Sequence, residues 1–147
     1  MRRIAASLVV LTLPLAAQKC EAGKTGSASG LPNYGCVLTT DTPPKAFRPD
    51  PDGDAVWIKA VVKARCDVPP RSHHMTLTLQ QRQASGWVKR QSEDYDVVPG
   101  PEGRLFALTY GNCEPGRWVL RILVTGQDGK GREYRAEPVS ESVRVDC

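Results

Sequence analysis

His73 and His74 are the only two imidazoles in this 147-residue chain, and Ser72 directly precedes them. A hydroxyl beside an imidazole suggests a nucleophile and its base, with the acid drawn from Glu93, Asp94 or Asp96. Neighbours on an extended chain point to opposite sides, however, so adjacency alone does not bring Ser72 against His73. No Gly-x-Ser-x-Gly elbow is present either. Following Pro70, the pair reads as part of a solvated loop entering a strand, where His73 and His74 are candidate contacts for a partner. Two histidines are too few for a histidine cage around a metal, and nine aromatics too few to line a large cofactor pocket. No catalytic residue, metal or cofactor is therefore expected.

Other constellations weaken on spacing. Asp50, Asp52 and Asp54 alternate as calcium ligands do, but Ala55 stands where the calcium loop needs glycine and Val61 where it needs the final acid. A solvated turn is expected there. Gly23, Lys24 and Thr25 resemble the end of a phosphate loop, but the pattern requires glycine where Gln18 stands, and no strand precedes it. Two carboxylates for glycoside cleavage can be nominated from sixteen acids, but without a spacing rule the nomination is empty.

The chain opens with Met1, Arg2 and Arg3, followed by an apolar stretch from Ile4 to Ala17. A charged flank before a short apolar run is the pattern of an export signal, too short for a span of about 20 residues. Cleavage after Ala22 satisfies a small-x-small rule through Cys20 and Ala22, whereas cleavage after Ala17 puts Leu15 at a position that favours small residues. The first choice removes Cys20 and leaves Cys36, Cys66, Cys113 and Cys147, an even set suited to two disulfides in an oxidising compartment. It also removes Arg2, Arg3, Lys19 and Glu21, so 20 basic and 16 acidic residues become 17 and 15, and the net charge falls from +4 to +2. That density of cations does not suit a nucleic-acid partner, and no membrane association is expected once the signal is gone.

Residues 1–22 are thus read as the signal, 23–33 as a flexible Gly/Ser-rich tail and 34–147 as one β domain. The tail cannot bury enough apolar surface to offset its ordering entropy. A short strand is expected over 34–40, then an irregular proline-rich linker over 41–54. From Val56 to Cys66 the even positions are apolar, while Lys59, Lys63 and Arg65 lie on the other face. Met75, Leu77 and Leu79 repeat the pattern. Trp118, Leu120, Ile122 and Val124 mark an apolar strand expected at the centre. About seven such strands, with no sustained helical period, predict an all-β antiparallel sandwich. Trp118 falls on the core face, whereas Trp57 shares its face with Lys59 and Lys63 and is a candidate partner contact.

The final hairpin bears on the disulfides. A turn over 127–130 would set residue 126 opposite 131 and Cys113 opposite Arg144, with a bulge near Glu137 and Pro138 bringing Cys147 into line. That favours Cys113–Cys147 and, by elimination, Cys36–Cys66. Cys66–Cys113 with Cys36–Cys147 stays open as an inter-sheet alternative.

The run Cys113, Glu114, Pro115, Gly116, Arg117, Trp118, followed by alternating apolar residues and a Gly-Gln-Asp-Gly-Lys-Gly hairpin, resembles the Pro-Gly-x-aromatic pattern of bacterial immunoglobulin-like and fibronectin-like modules. The resemblance covers about a third of the chain and implies an immunoglobulin-like sandwich. The layout of signal, Gly/Ser tail and disulfide-bearing domain is similar to that of the small adaptor subunits of Streptomyces umbrella toxin particles. That similarity implies a bridging role between a lectin-like subunit and a large repeat-containing stalk.

The expected function is a non-catalytic, secreted adaptor that meets a protein partner in the extracellular space. Its tail would dock through Leu31, Pro32 and Tyr34, the sizeable apolar groups there. The alternative is an inhibitor of an extracellular hydrolase, presenting the loop Asp67 to His74 beside Cys66. A small secreted enzyme is the third reading.

Overall fold

Alternation places the apolar half of each strand on one side, and a sheet with one apolar side must cover it with another. The computed structural model describes residues 35–147. In it, eight strands form two antiparallel sheets that close on one core: β1 (Cys36–Phe47), β2 (Trp57–Cys66), β3 (Ser72–Gln83), β4 (Gly86–Asp96), β5 (Arg104–Tyr110), β6 (Gly116–Gln127), β7 (Glu133–Ala136) and β8 (Val143–Val145). One sheet runs β1-β2-β5. The other runs β4-β3-β6-β7, with β8 also paired to β6. Ile58, Ala60, Val62 and Ala64 face Met75, Leu77, Leu79 and the β6 row Trp118, Leu120, Ile122, Val124 across a shared core. The fold is the expected antiparallel sandwich, and β6 is central in its sheet. The segments expected to be an export signal and a tail, with the candidate contacts Leu31, Pro32 and Tyr34, lie outside the described residues.

β1 corrects the expectation of a short strand and a linker. It continues through Pro43 and Pro44 to Phe47, with register shifts between Thr40 and Thr42 and between Thr42 and Lys45. Proline removes a ladder donor, but β1 lies at a sheet edge and bulges where the prolines approach, so the missing amides cost little. A further bulge lies in the other sheet. Leu79 pairs with Gln91 and Gln80 with Lys89, leaving Arg90 as the extra residue of β4. Arg90 donates from Nε and Nη2 to Oε1 of the buried Gln81 at 3.0 and 2.6 Å, and from Nη2 to Glu114 at 2.6 Å. Gln81 in turn donates to the Pro115 carbonyl, and Trp118 Nε1 to the Glu114 carbonyl. This network fixes the loop that carries Cys113.

Both disulfides follow the favoured pairing, Cys36–Cys66 and Cys113–Cys147. Cys36 and Cys66 are direct cross-strand partners. The reason offered for Cys113–Cys147 needs correction. Gly126 pairs with Tyr134, three residues beyond the expected 131, so a longer turn between Gln127 and Glu133 absorbs the offset. Asp128 organises that turn, accepting hydrogen bonds from the amides of Lys130 and Arg132 and from Arg132 Nε. These bonds, the Arg132 amide foremost, hold the Asp128 carboxyl below its usual range although burial opposes them. That turn by itself sets Cys113 level with Cys147, and a register step of one residue between the Arg121–Val139 bridge and the Trp118–Val143 pair then offsets the two cysteines by a single position.

The two sheets also meet at an open side. Tyr95 of β4 donates to the Ala107 carbonyl of β5 at 3.0 Å, and its ring lies 5.0 Å from that of Phe106. Burial, with Glu93 adding to it, pushes the Tyr95 hydroxyl up to about 12, so it remains a donor.

Each disulfide closes a loop of 30 or 34 residues. Replacing Cys113 and Cys147 together by alanine should lower the unfolding free energy by about 3 to 4 kcal/mol, read from urea denaturation. Non-reducing peptide mapping should recover the two pairings as two separate linked peptides.

Candidate functional site

The β1–β2 pair runs the length of the sandwich and defines its two ends. Cys36 opposes Cys66 at one, and Phe47 opposes Trp57 at the other. Strand rise sets these roughly 30 Å apart. The Cys113–Cys147 staple belongs to the Trp57 end, because the Cys113 amide donates to the Val56 carbonyl at 3.0 Å. Each end is therefore closed by its own disulfide.

The histidines diverge as strand parity requires, but from within β3 and not from a loop. The strand already begins at Ser72, so odd positions enter the core line of Met75, Leu77 and Leu79, and even positions face outward. His73 is consequently buried, with only 4% of its surface exposed, which corrects its expected role as a solvent-presented contact. Tyr134 Oη donates to the Ser72 carbonyl at 2.8 Å and lies 3.0 Å from His73 Nδ1. With the phenol proton directed to Ser72, Nδ1 carries the imidazole proton and donates to the phenol oxygen. Burial pushes the Tyr134 hydroxyl up to about 12. It also holds His73 below 6.5, with His74 contributing second.

A ring nitrogen of His73 and the sulfurs of Cys36 and Cys66 lie within 4.8 Å of one another. Those residue types would suit a metal, but sulfurs joined in a disulfide offer no thiolate. Here the imidazole packs under the staple. Gly126 completes this end. A Cβ at that position would collide with the Ser72 carbonyl and the Tyr134 ring, so the close approach of three strands requires glycine.

His74 faces outward on the five-stranded sheet. Its Nδ1 donates to Asp96 at 2.6 Å, and its Nε2 lies 3.7 Å from Asp94. Thr76 donates to Asp94, Thr78 to Ser92, and Ser92 to the Leu77 carbonyl. The hydroxyls of this ladder are thus committed to cross-strand bonds, and among the described residues none of them hydrogen-bonds His74. The Glu93–Asp96 segment joins His74, as the sequence nomination of acids allows, but Ser72 does not. Its Oγ accepts from the Gln127 amide on the other side of β3.

Trp57 lies where its face was expected, beside Lys59 on the outer side of the three-stranded sheet. It is half-buried, with its ring edge-on to Phe47 at 6.2 Å and Lys59 Nζ 5.9 Å from the Phe47 ring centre. The candidate contacts are therefore not gathered in one place. Trp57 marks one end and face, His74 the opposite sheet, and His73 the interior. Phe47 was missed because proline-rich sequence concealed its strand.

The loop nominated for inhibition is also shorter than expected, since Ser72, His73 and His74 belong to β3. Its remainder, residues 67–71, is tied at both ends by Asp67 amide to Gly35 carbonyl and Arg71 amide to Gln127 carbonyl bonds. Val68 is its apolar tip, 63% exposed.

Two outcomes check the His73 end. Gly126→Ala should cost about 2 kcal/mol in a urea titration, the scale of overpacking a tight site. A folded state that resists a proton the unfolded chain accepts loses stability as pH falls through about 6.5. The unfolding free energy should decline on acidification across that range, and His73→Phe should flatten the decline. No family model matches the chain, and no curated protein matches its sequence.

Proposed function

We propose that the chain is an exported, non-catalytic binding module that bridges subunits of an extracellular protein assembly. Residues 23–34 make one contact, and the face carrying Trp57 makes the other. The observation that supports this most is the pair of separately stapled ends. The segment preceding the described residues attaches next to Cys36, which is bonded to the buried Cys66, while Trp57 and Phe47 stand at the far end of the same strand pair. A load or partner at one end is carried to the other through β1 and β2 without relying on loop contacts. The disulfides themselves suit an oxidising, extracellular setting.

Val68 favours a second reading. An apolar tip on a short loop tied at both ends and next to a disulfide is the geometry of an inhibitor's contact loop.

Affinity purification of the exported protein from its native medium tests both. The adaptor should recover stable partners, with deletion of residues 23–33 losing one of them and Trp57→Ala weakening another. Recovery of the protein alone, or retention of every partner by both variants, overturns the adaptor. Tight inhibition of a secreted hydrolase, lost in Val68→Asp, selects the inhibitor instead.

A further inference from the structure

We infer that the outer face of the three-stranded sheet is a docking surface for an acidic protein segment punctuated by apolar residues. This rests on the binding-module reading and supplies the chemistry of one partner.

Cross-strand partners share a face, so pairing defines this surface. Lys45 opposes Lys59, Lys63 lies between Thr39 and Leu105, and Arg65 opposes Val37. Every paired residue on this face is apolar, a threonine or a cation, and the acid of β1, Asp41, lies unpaired at the register shift, where its carboxylate accepts from Thr42. Arg65 has Asp67 at 3.3 Å, but Lys45, Lys59 and Lys63 make no ion pair among the described residues. Like charges directly opposite one another destabilise a sheet, so folding gains nothing from Lys45 facing Lys59. An anion laid over the face relieves that repulsion.

The apolar groups decide what carries the anion. Trp57 and Phe47 stand at one end of the cationic row. Leu105, 59% exposed, and Val37, 48% exposed, stand toward the other. A polyanionic sugar would leave these apolar groups without partners, whereas a polypeptide with acidic and apolar residues satisfies both sets. Aromatic anchors flanked by complementary charge are the usual composition of a protein contact. The exposed acids Asp94 and Asp96 lie on the opposite sheet, so the charge distribution orients an acidic partner toward this side.

The test is an amide NMR titration of the folded chain with a short synthetic peptide alternating Glu with Leu and Tyr, and in parallel with a heparin fragment. The peptide should shift residues on the outer side of β1, β2 and β5, with binding weakening as salt rises. Lys59→Glu combined with Lys63→Glu should weaken it by about tenfold or more, and the Gln pair should fall between. If the double charge reversal fails to fold, Lys63→Glu alone, at an exposed position, should still weaken binding measurably. Absence of localised shifts, unchanged affinity in the charge-reversed protein, or tighter binding of heparin than of peptide overturns the proposal. If native partners are recovered undiminished by the charge-reversed protein, this surface is wrong while the adaptor stands. If no partner is recovered by the unaltered protein, the adaptor reading itself has failed.

Discussion

The Cys36–Cys66 bond joins residues that are already cross-strand partners, and much of the structure depends on the register it locks. A slip of one residue between β1 and β2 would turn Leu38 outward and Val37 inward, moving the core row of β1 to solvent. β1 is an edge strand containing two prolines and two register shifts, so its ladder alone specifies pairing weakly. The covalent link supplies what the hydrogen bonds cannot. Beneath it, His73, Tyr134 and Gly126 fill the end of the sandwich, which keeps the staple dry.

The same locked register sets the opposite surface. Because Cys36 opposes Cys66, parity carries Lys63, Lys59 and Trp57 to the outside, and the bulges of β1 then decide which residues meet them. Without the shifts around Thr42, Lys45 would not lie opposite Lys59, nor Phe47 opposite Trp57. The irregularities that let prolines into the strand therefore also assemble the cationic and aromatic face. A stiff strand pair with one bonded end and one aromatic end transmits position well, which an adaptor needs more than it needs a pocket.

What was legible in the sequence follows from how local each signal is. The alternation in β2, in β6 and in Met75 to Leu79 declares the inner faces because every second residue is apolar. Trp57 was placed on the right face by parity with Lys59 and Lys63. β1 past Thr40 was not legible, because prolines and Asp41 argue against a strand unless its edge position is known, and edge position is a property of the whole sheet. His73 was misread for a related reason. Ser-His-His looks like a loop when judged by polarity, but the hydrogen-bond partner that makes a buried imidazole acceptable is Tyr134, 61 residues away. The β6–β7 turn was read as too short because its length depends on Asp128 accepting bonds from Lys130 and Arg132, a detail of geometry that Asp-Gly alone does not announce.

These differences bear on function through polarity and cost. On the five-stranded sheet the outward polar groups pair with one another, as His74 does with Asp96 and Thr76 with Asp94, so that face is largely self-satisfied. On the three-stranded sheet Lys45 faces Lys59, and the partners of Lys63, Thr39 and Leu105, carry no charge. Two outer faces built from the same strand alternation thus differ in what they leave unfinished. A self-satisfied ladder stabilises the sheet on which it lies, whereas a row of like charges beside exposed apolar side chains gains its energy only when something else covers it. The asymmetry is why the proposed partner surface is centred on Trp57 and not on the histidine pair that first attracts notice.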